Sequence, residues 1–121
     1  MICGVLVAVC FSGPAAARDD LLLVFAGCAG RISAEMEHAW LLRDGRADAL
    51  EGQRRRFVSL LEAIMPPDRA REVLSRRVEV KLAHAATLTT ASFGTNLRMS
   101  ELARHQAARQ VQSCQTMLLD G

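Results

Sequence analysis

The chain has 121 residues, half of them hydrophobic and 23% charged, which excludes a disordered polymer and fits one domain with a modest core. A formal net charge of +2 and an aromatic content of 4% argue against a nucleic-acid surface, which needs a stronger basic excess and bases to stack on. Tyrosine is absent, so the composition favours helices over a β-sandwich, whose strands lean on aromatic and β-branched residues.

Residues 1–17 have the layout of a cleavable signal peptide. Ile2 to Phe11 is an apolar run, Ser12-Gly13-Pro14 breaks it, and Ala15-Ala16-Ala17 places small residues before Arg18. The run is too short to span a bilayer, and no Lys or Arg precedes it. Cleavage after Ala17 leaves residues 18–121 as one domain. It also removes Cys3 and Cys10, leaving Cys28 and Cys114 as an even pair. In an exported chain such a pair is expected to form a disulfide. Closing so long a loop restricts the unfolded chain by about 4–5 kcal/mol. The competing reading is a lipobox at Leu21–Cys28 with Cys28 lipidated. It puts Asp19 and Asp20 at the start of the apolar run and strands Cys114 as an odd thiol.

The first helix is expected over Asp20–Arg43. Leu21, Phe25, Cys28, Ile32, Met36 and Ala39 recur on one face, and Asp44-Gly45 ends it. Gly27 and Gly30 each cost about 1 kcal/mol in a helix interior. With Ala26 and Ala29 they form a small-residue patch around Cys28, expected to let two helices approach closely enough for the disulfide. The second helix is expected over Asp48–Met65, capped by Asp48 and Glu51. Its stripe is Leu50, Phe57, Leu61 and Ile64, and Pro66-Pro67 stops it. The third is expected over Asp68–Ser92, with Asp68 as N-cap and a stripe of Leu74, Val78, Leu82, Ala85 and Leu88. Gly94 is placed to take the left-handed conformation at its end. The fourth is expected over Asn96–Leu119, capped by Thr95 or Asn96, with Ala103, Ala107, Val111, Cys114 and Met117/Leu118 facing inward. Four amphipathic helices with short connections predict an all-α, up-down-up-down four-helix bundle tied by one disulfide. In that bundle the first and last helices are antiparallel, which brings Cys28 and Cys114 to the same height within about one turn.

Candidate chemistry is sparse. Glu35 falls on the apolar face of the first helix and Lys81 among the apolar residues of the third, at one level of the bundle. Gln53 and Gln106 lie near that level, so a buried polar layer of Glu35, Lys81, Gln53 and Gln106 is expected. A helix-register ion pair is its simplest role; the alternatives are Lys81 laying its methylenes on the core with its ammonium in water, and a small polar site. His38 and His84 flank the core faces at similar height, and with Glu35 they are weak candidates for a metal or haem contact. Glu35 and His38 have the Glu-x-x-His spacing of carboxylate-bridged metal bundles, but the second half of that pattern is missing: Glu101 and His105 are four apart. No Cys-x-x-Cys-His, phosphate loop or nucleophile-elbow motif occurs, so no cofactor and no catalytic residue is assigned. Trp40 reads as a core edge, and Arg54-Arg55-Arg56 as a solvated face. The expectation is therefore a periplasmic or secreted, non-catalytic domain that acts by contact with another envelope protein. A metal- or haem-binding bundle and a lipoprotein anchored at Cys28 are the alternatives.

Overall fold

A computed structural model describes residues 14–119, with side chains from residue 21. Four helices follow one another: α1 (Pro14–Leu41), α2 (Ala47–Ile64), α3 (Ala70–Phe93) and α4 (Leu97–Leu119), with a 3-10 turn at Pro67–Arg69 leading into α3. The predicted leader lies outside the described residues except for residues 14–17, which open α1. Proline fits a first helical turn, and three alanines extend it readily, so the helix starts before the expected Asp20.

The connections differ from expectation in detail. α1 ends in a Schellman arrangement, with the Arg43 N–H donating to Trp40 O (3.1 Å) and the Asp44 N–H to Ala39 O (2.8 Å). Arg43, at φ 52°, occupies the left-handed position, and no described glycine has a positive φ. Asp44 then accepts the Arg46 N–H and guanidinium, so it organises the turn in place of the expected Asp48 cap. Gly94 is extended (φ −63°, ψ 141°), not left-handed. It is required for a different reason: a Cβ there would lie 2.7 Å from Ser100 Oγ. Asn96 caps α4 as expected, accepting the Met99 N–H at 3.1 Å. Asp68 does not cap α3; it lies within the 3-10 turn, and Arg69 at the helix start is bonded to Glu72.

The bundle is up-down-up-down. α1 and α3 run parallel, as Glu35–His84 and His38–Ser92 show, and α4 runs antiparallel to both through Cys28–Cys114 and His84–Gln110. It is not square. α1 packs along both α2 and α3, α4 lies along α3 and meets α1 and α2 only over short stretches, and the backbones of α2 and α3 stay apart. α1 is therefore the central helix. Its glycines explain the closeness to α3: a Cβ on Gly30 would fall inside contact distance of Arg77 O and 3.1 Å from Lys81 N.

The core gathers on α1. Leu22, Ala26, Ala29, Ile32, Met36 and Ala39 meet Leu50, Phe57 and Leu61 of α2, Val73 of α3, and Val111 and Leu118 of α4. Phe25 tilts against Phe57 with ring centroids 6.1 Å apart. The inward residues of α4 are those the spacing predicts, and so are those of α2 except Ile64, which is exposed. Leu21, expected to face inward at the start of α1, is also exposed.

The stripe of α3 is turned. Val73, Val80, His84, Leu88 and Ala91 face inward, while Leu74, Val78 and Leu82 are 57%, 46% and 64% exposed. The inward face carries the one residue at the right height to partner the buried Glu35, which is a stronger requirement than burying three more aliphatic side chains. Trp40, predicted as a core edge, is 53% exposed.

Candidate functional site

Cys28 and Cys114 form the predicted disulfide, with Cα atoms 5.5 Å apart and a sequence separation of 86. Both cysteines are buried. Cys28 sits mid-helix with its sulfur already bonded, and one sulfur cannot also carry the thioether that a lipid anchor requires. The Arg31 guanidinium donates to Cys114 Sγ at 3.5 Å.

The expected polar layer separates into three unconnected pairs. Glu35 is buried, as predicted, but its partner is His84: Oε1 accepts from Nε2 at 2.7 Å, with 1% and 6% of the His and Glu side chains exposed. The other ring nitrogen, Nδ1, lies 3.2 Å from Gln110 Oε1. Lys81 instead reaches outward to Glu37, 2.5 Å away at the surface. That is how an ammonium on a flexible stem avoids desolvation. Gln53 accepts from Gln115 at 3.0 Å, linking α2 to α4, and Gln106 is exposed. Pairing Glu35 with His84 leaves both of these buried side chains partnered, whereas an ammonium in that place would have cost more to desolvate.

His38 is not near His84. Its Nε2 is 2.7 Å from Ser92 Oγ, and its ring meets Phe93 edge-on at 6.0 Å. A histidine beside a serine hydroxyl is half of a nucleophile–base pair, which also needs a group orienting the second ring nitrogen and donors for an oxyanion. Among the described residues nothing bonds His38 Nδ1, and Ser92 lies within α3, where backbone N–H groups are engaged in the helix. The pair therefore links the ends of α1 and α3. Among the described residues no group of three or more His, Cys, Asp or Glu side chains is placed to hold a metal ion.

Several clefts open between the helices, and one of about 390 Å³ is lined by Glu35, His38 and Ser92 together with Arg104. At one end Phe25, Arg55, Leu60 and Met117 line a space of about 680 Å³. Between α2 and α3, where the two backbones stay apart, a groove of about 320 Å³ is floored by Gly30, Ser33 and Met36 of α1. Its walls are Arg54 on one side and Leu74 and Val78 on the other. The Arg54 Nε there is buried without a hydrogen-bond partner. Between α1, α3 and α4 a cleft of about 230 Å³ is lined by Arg31 and Gln110 and backs onto the buried His84. Burial and then the charge of Arg76 push Arg31 below its ordinary value. At the surface Arg46 holds the Asp44 carboxyl below the usual carboxylate range, and Arg69 does the same for Glu72.

The residues that sequence reasoning missed are His84 as the partner of Glu35, Gln110 and Ser92. One signal was present: His84 shares a helical face with Val80 and Leu88, at the level of Glu35. No described helix is long and apolar enough to cross a membrane. No protein-family model, no curated protein and no solved structure matches the chain.

Proposed function

We propose that this is an exported, non-catalytic helical domain that works by holding another protein of the cell envelope, and that the contact is made in the groove between α2 and α3. The observation that carries this reading is the aliphatic face Leu74, Val78 and Leu82, which the bundle leaves in water. A helix normally spends its best apolar stripe on its own core, and such patches on a small domain mark contact sites. The gap between α2 and α3 has the form of a seat for a further helix laid on α1. Charge selects the occupant. Arg54 and Arg77 border the groove without a carboxylate partner, and Lys81 beside them is answered by Glu37. The fitting partner is an amphipathic helix with an apolar stripe flanked by acidic residues, a common mode of helix-in-groove recognition. Export is supported by the leader's layout and by the disulfide, which an oxidising compartment sustains.

Two measurements test the reading. Intact mass of the protein recovered from its host gives residues 18–121 in oxidised form; retention of residues 1–17 or free thiols contradicts export. A photo-crosslinking residue at Leu82 in living cells yields one discrete adduct that Leu74→Asp abolishes and that the same probe at Arg109 does not give. Equal adducts from both positions, or adducts indifferent to Leu74→Asp, refute the groove as the contact.

A further inference from the structure

The cleft between α1, α3 and α4 has a composition that the contact reading does not use. Arg31 enters it from α1 and Arg76 from α3, with Gln106 and Gln110 of α4 opposite, His84 at its back and Glu79 at its rim. The Nε of Arg31 is buried with no hydrogen-bond partner, and no described carboxylate pairs with this guanidinium. A buried donor left unmatched costs about 1–3 kcal/mol, more when it is charged, so a native fold keeps one where something else satisfies it. Arg76 faces the same space and is held only by Glu79, at a long 3.4 Å and with both side chains largely in water. Gln110, whose Oε1 lies 3.2 Å from His84 Nδ1, lines the cleft with Gln106 and brings amide donors to it. Two guanidinium groups of like charge thus share one small cleft with an amide donor. His84 itself is already bonded to Glu35.

We propose that this cleft binds a compact oxyanion, a phosphate group above all, between Arg31 and Arg76. The guanidinium fork matches phosphate oxygens two at a time, and a doubly charged anion resolves the repulsion between the arginines. The cleft's volume of about 230 Å³ admits a phosphate and little attached to it. Glu79 is the opposing group: it competes for Arg76 and repels the anion, so it sets the affinity. The bound anion joins α1 to α3 next to the disulfide. A free phosphate meets both requirements, charge and size, whereas a phospholipid headgroup presents the same phosphate oxygens with a single charge and two substituents.

The test uses the oxidised full chain and inorganic phosphate as probe. Calorimetric titration gives saturable binding that weakens with added sodium chloride, and NMR shows shifts at Arg31 Nε–H and the Gln110 side-chain amide. Arg76→Gln, at a side chain 44% exposed, keeps the helical signal and weakens binding about tenfold. Glu79→Gln tightens it severalfold, a result that a merely nonspecific cationic surface would not single out. Vesicles of phosphatidylglycerol separate the sources. Vesicle binding that phosphate displaces and Arg76→Gln abolishes assigns the headgroup, and phosphate binding without vesicle binding assigns a free anion. Phosphate that does not bind, or binds wild type, Arg76→Gln and Glu79→Gln alike, overturns the proposal. The groove crosslink at Leu82 is independent of every one of these outcomes.

Discussion

Gly27 and Gly30 stand three residues apart on α1, both buried, and the same substitution at each is expected to act with opposite sign. In a helix interior alanine is favoured over glycine by about 1 kcal/mol. At Gly27 an added Cβ meets Val80 Cγ2 at 3.6 Å, an ordinary contact, so Gly27→Ala keeps that gain. At Gly30 the Cβ would press on Arg77 O and lie 3.0 Å from its carbonyl carbon. Both are backbone atoms of a helix, so no rotamer change relieves the clash and α1 must move away from α3. Overpacking of this kind costs about 1–3 kcal/mol, and a backbone obstacle puts it at the upper end. Subtracting the propensity gain leaves a net loss of about 2 kcal/mol for Gly30→Ala. The two variants should therefore differ by about 3 kcal/mol. At about 4–8 °C per kcal/mol, Gly27→Ala raises the melting temperature by about 5 °C and Gly30→Ala lowers it by about 10 °C. Thermal and urea unfolding of the oxidised proteins, followed by helical circular dichroism, reads both. Gly30→Ala at or above wild-type stability would refute the backbone contact between α1 and α3, and with it the central position of α1.

Reducing the disulfide, or Cys28→Ser, should remove about 4–5 kcal/mol because the loop closed is 86 residues long; a urea midpoint unchanged by reductant contradicts this. His84→Ala strands a buried carboxylate and should cost about 3–5 kcal/mol, whereas Glu35→Leu with His84→Leu recovers most of that loss; a double variant as unstable as the single one would show that the pair is not a closed unit. The depressed carboxyls of Asp44 and Glu72 take up protons at lower pH in the folded chain than in the unfolded one. Their contribution is complete above about pH 5, beyond both unfolded values, and is lost as pH falls through their folded values. NMR titration of Arg46→Ala should show the Asp44 carboxyl moving up to the ordinary range while Glu72 stays put.

Features set by local periodicity were legible in the residues. The four helices, the inward face of α4 and the cysteine pairing follow from spacing, helix breakers and an even thiol count, whereas the small residues at Gly30, expected to serve the disulfide, admit α3 instead. What was not legible depends on which face of α3 meets α1. That helix offers two apolar faces about 120° apart, and counting aliphatics selects Leu74, Val78 and Leu82. The face that won carries His84, because a carboxylate buried on α1 needs a donor that tolerates burial. Periodicity weighs apolar residues one helix at a time, so a requirement imposed by another helix 49 residues away is invisible to it. The same limit hid the partner of Glu35 and sent Lys81 to the wrong neighbour. The early start of α1 was obscured because Ala15-Ala16-Ala17 satisfies a cleavage site and a helix turn equally well.

The bond between the first and last helices makes a ring of nearly the whole folded chain. A protease that cuts any of the three connections between helices, from Leu42–Arg46 to Gly94–Asn96, opens the ring without releasing a fragment. The severed halves stay joined until a reductant reaches a buried pair of sulfurs. In a compartment rich in proteases and poor in thiols, such a molecule can be nicked and still keep its shape.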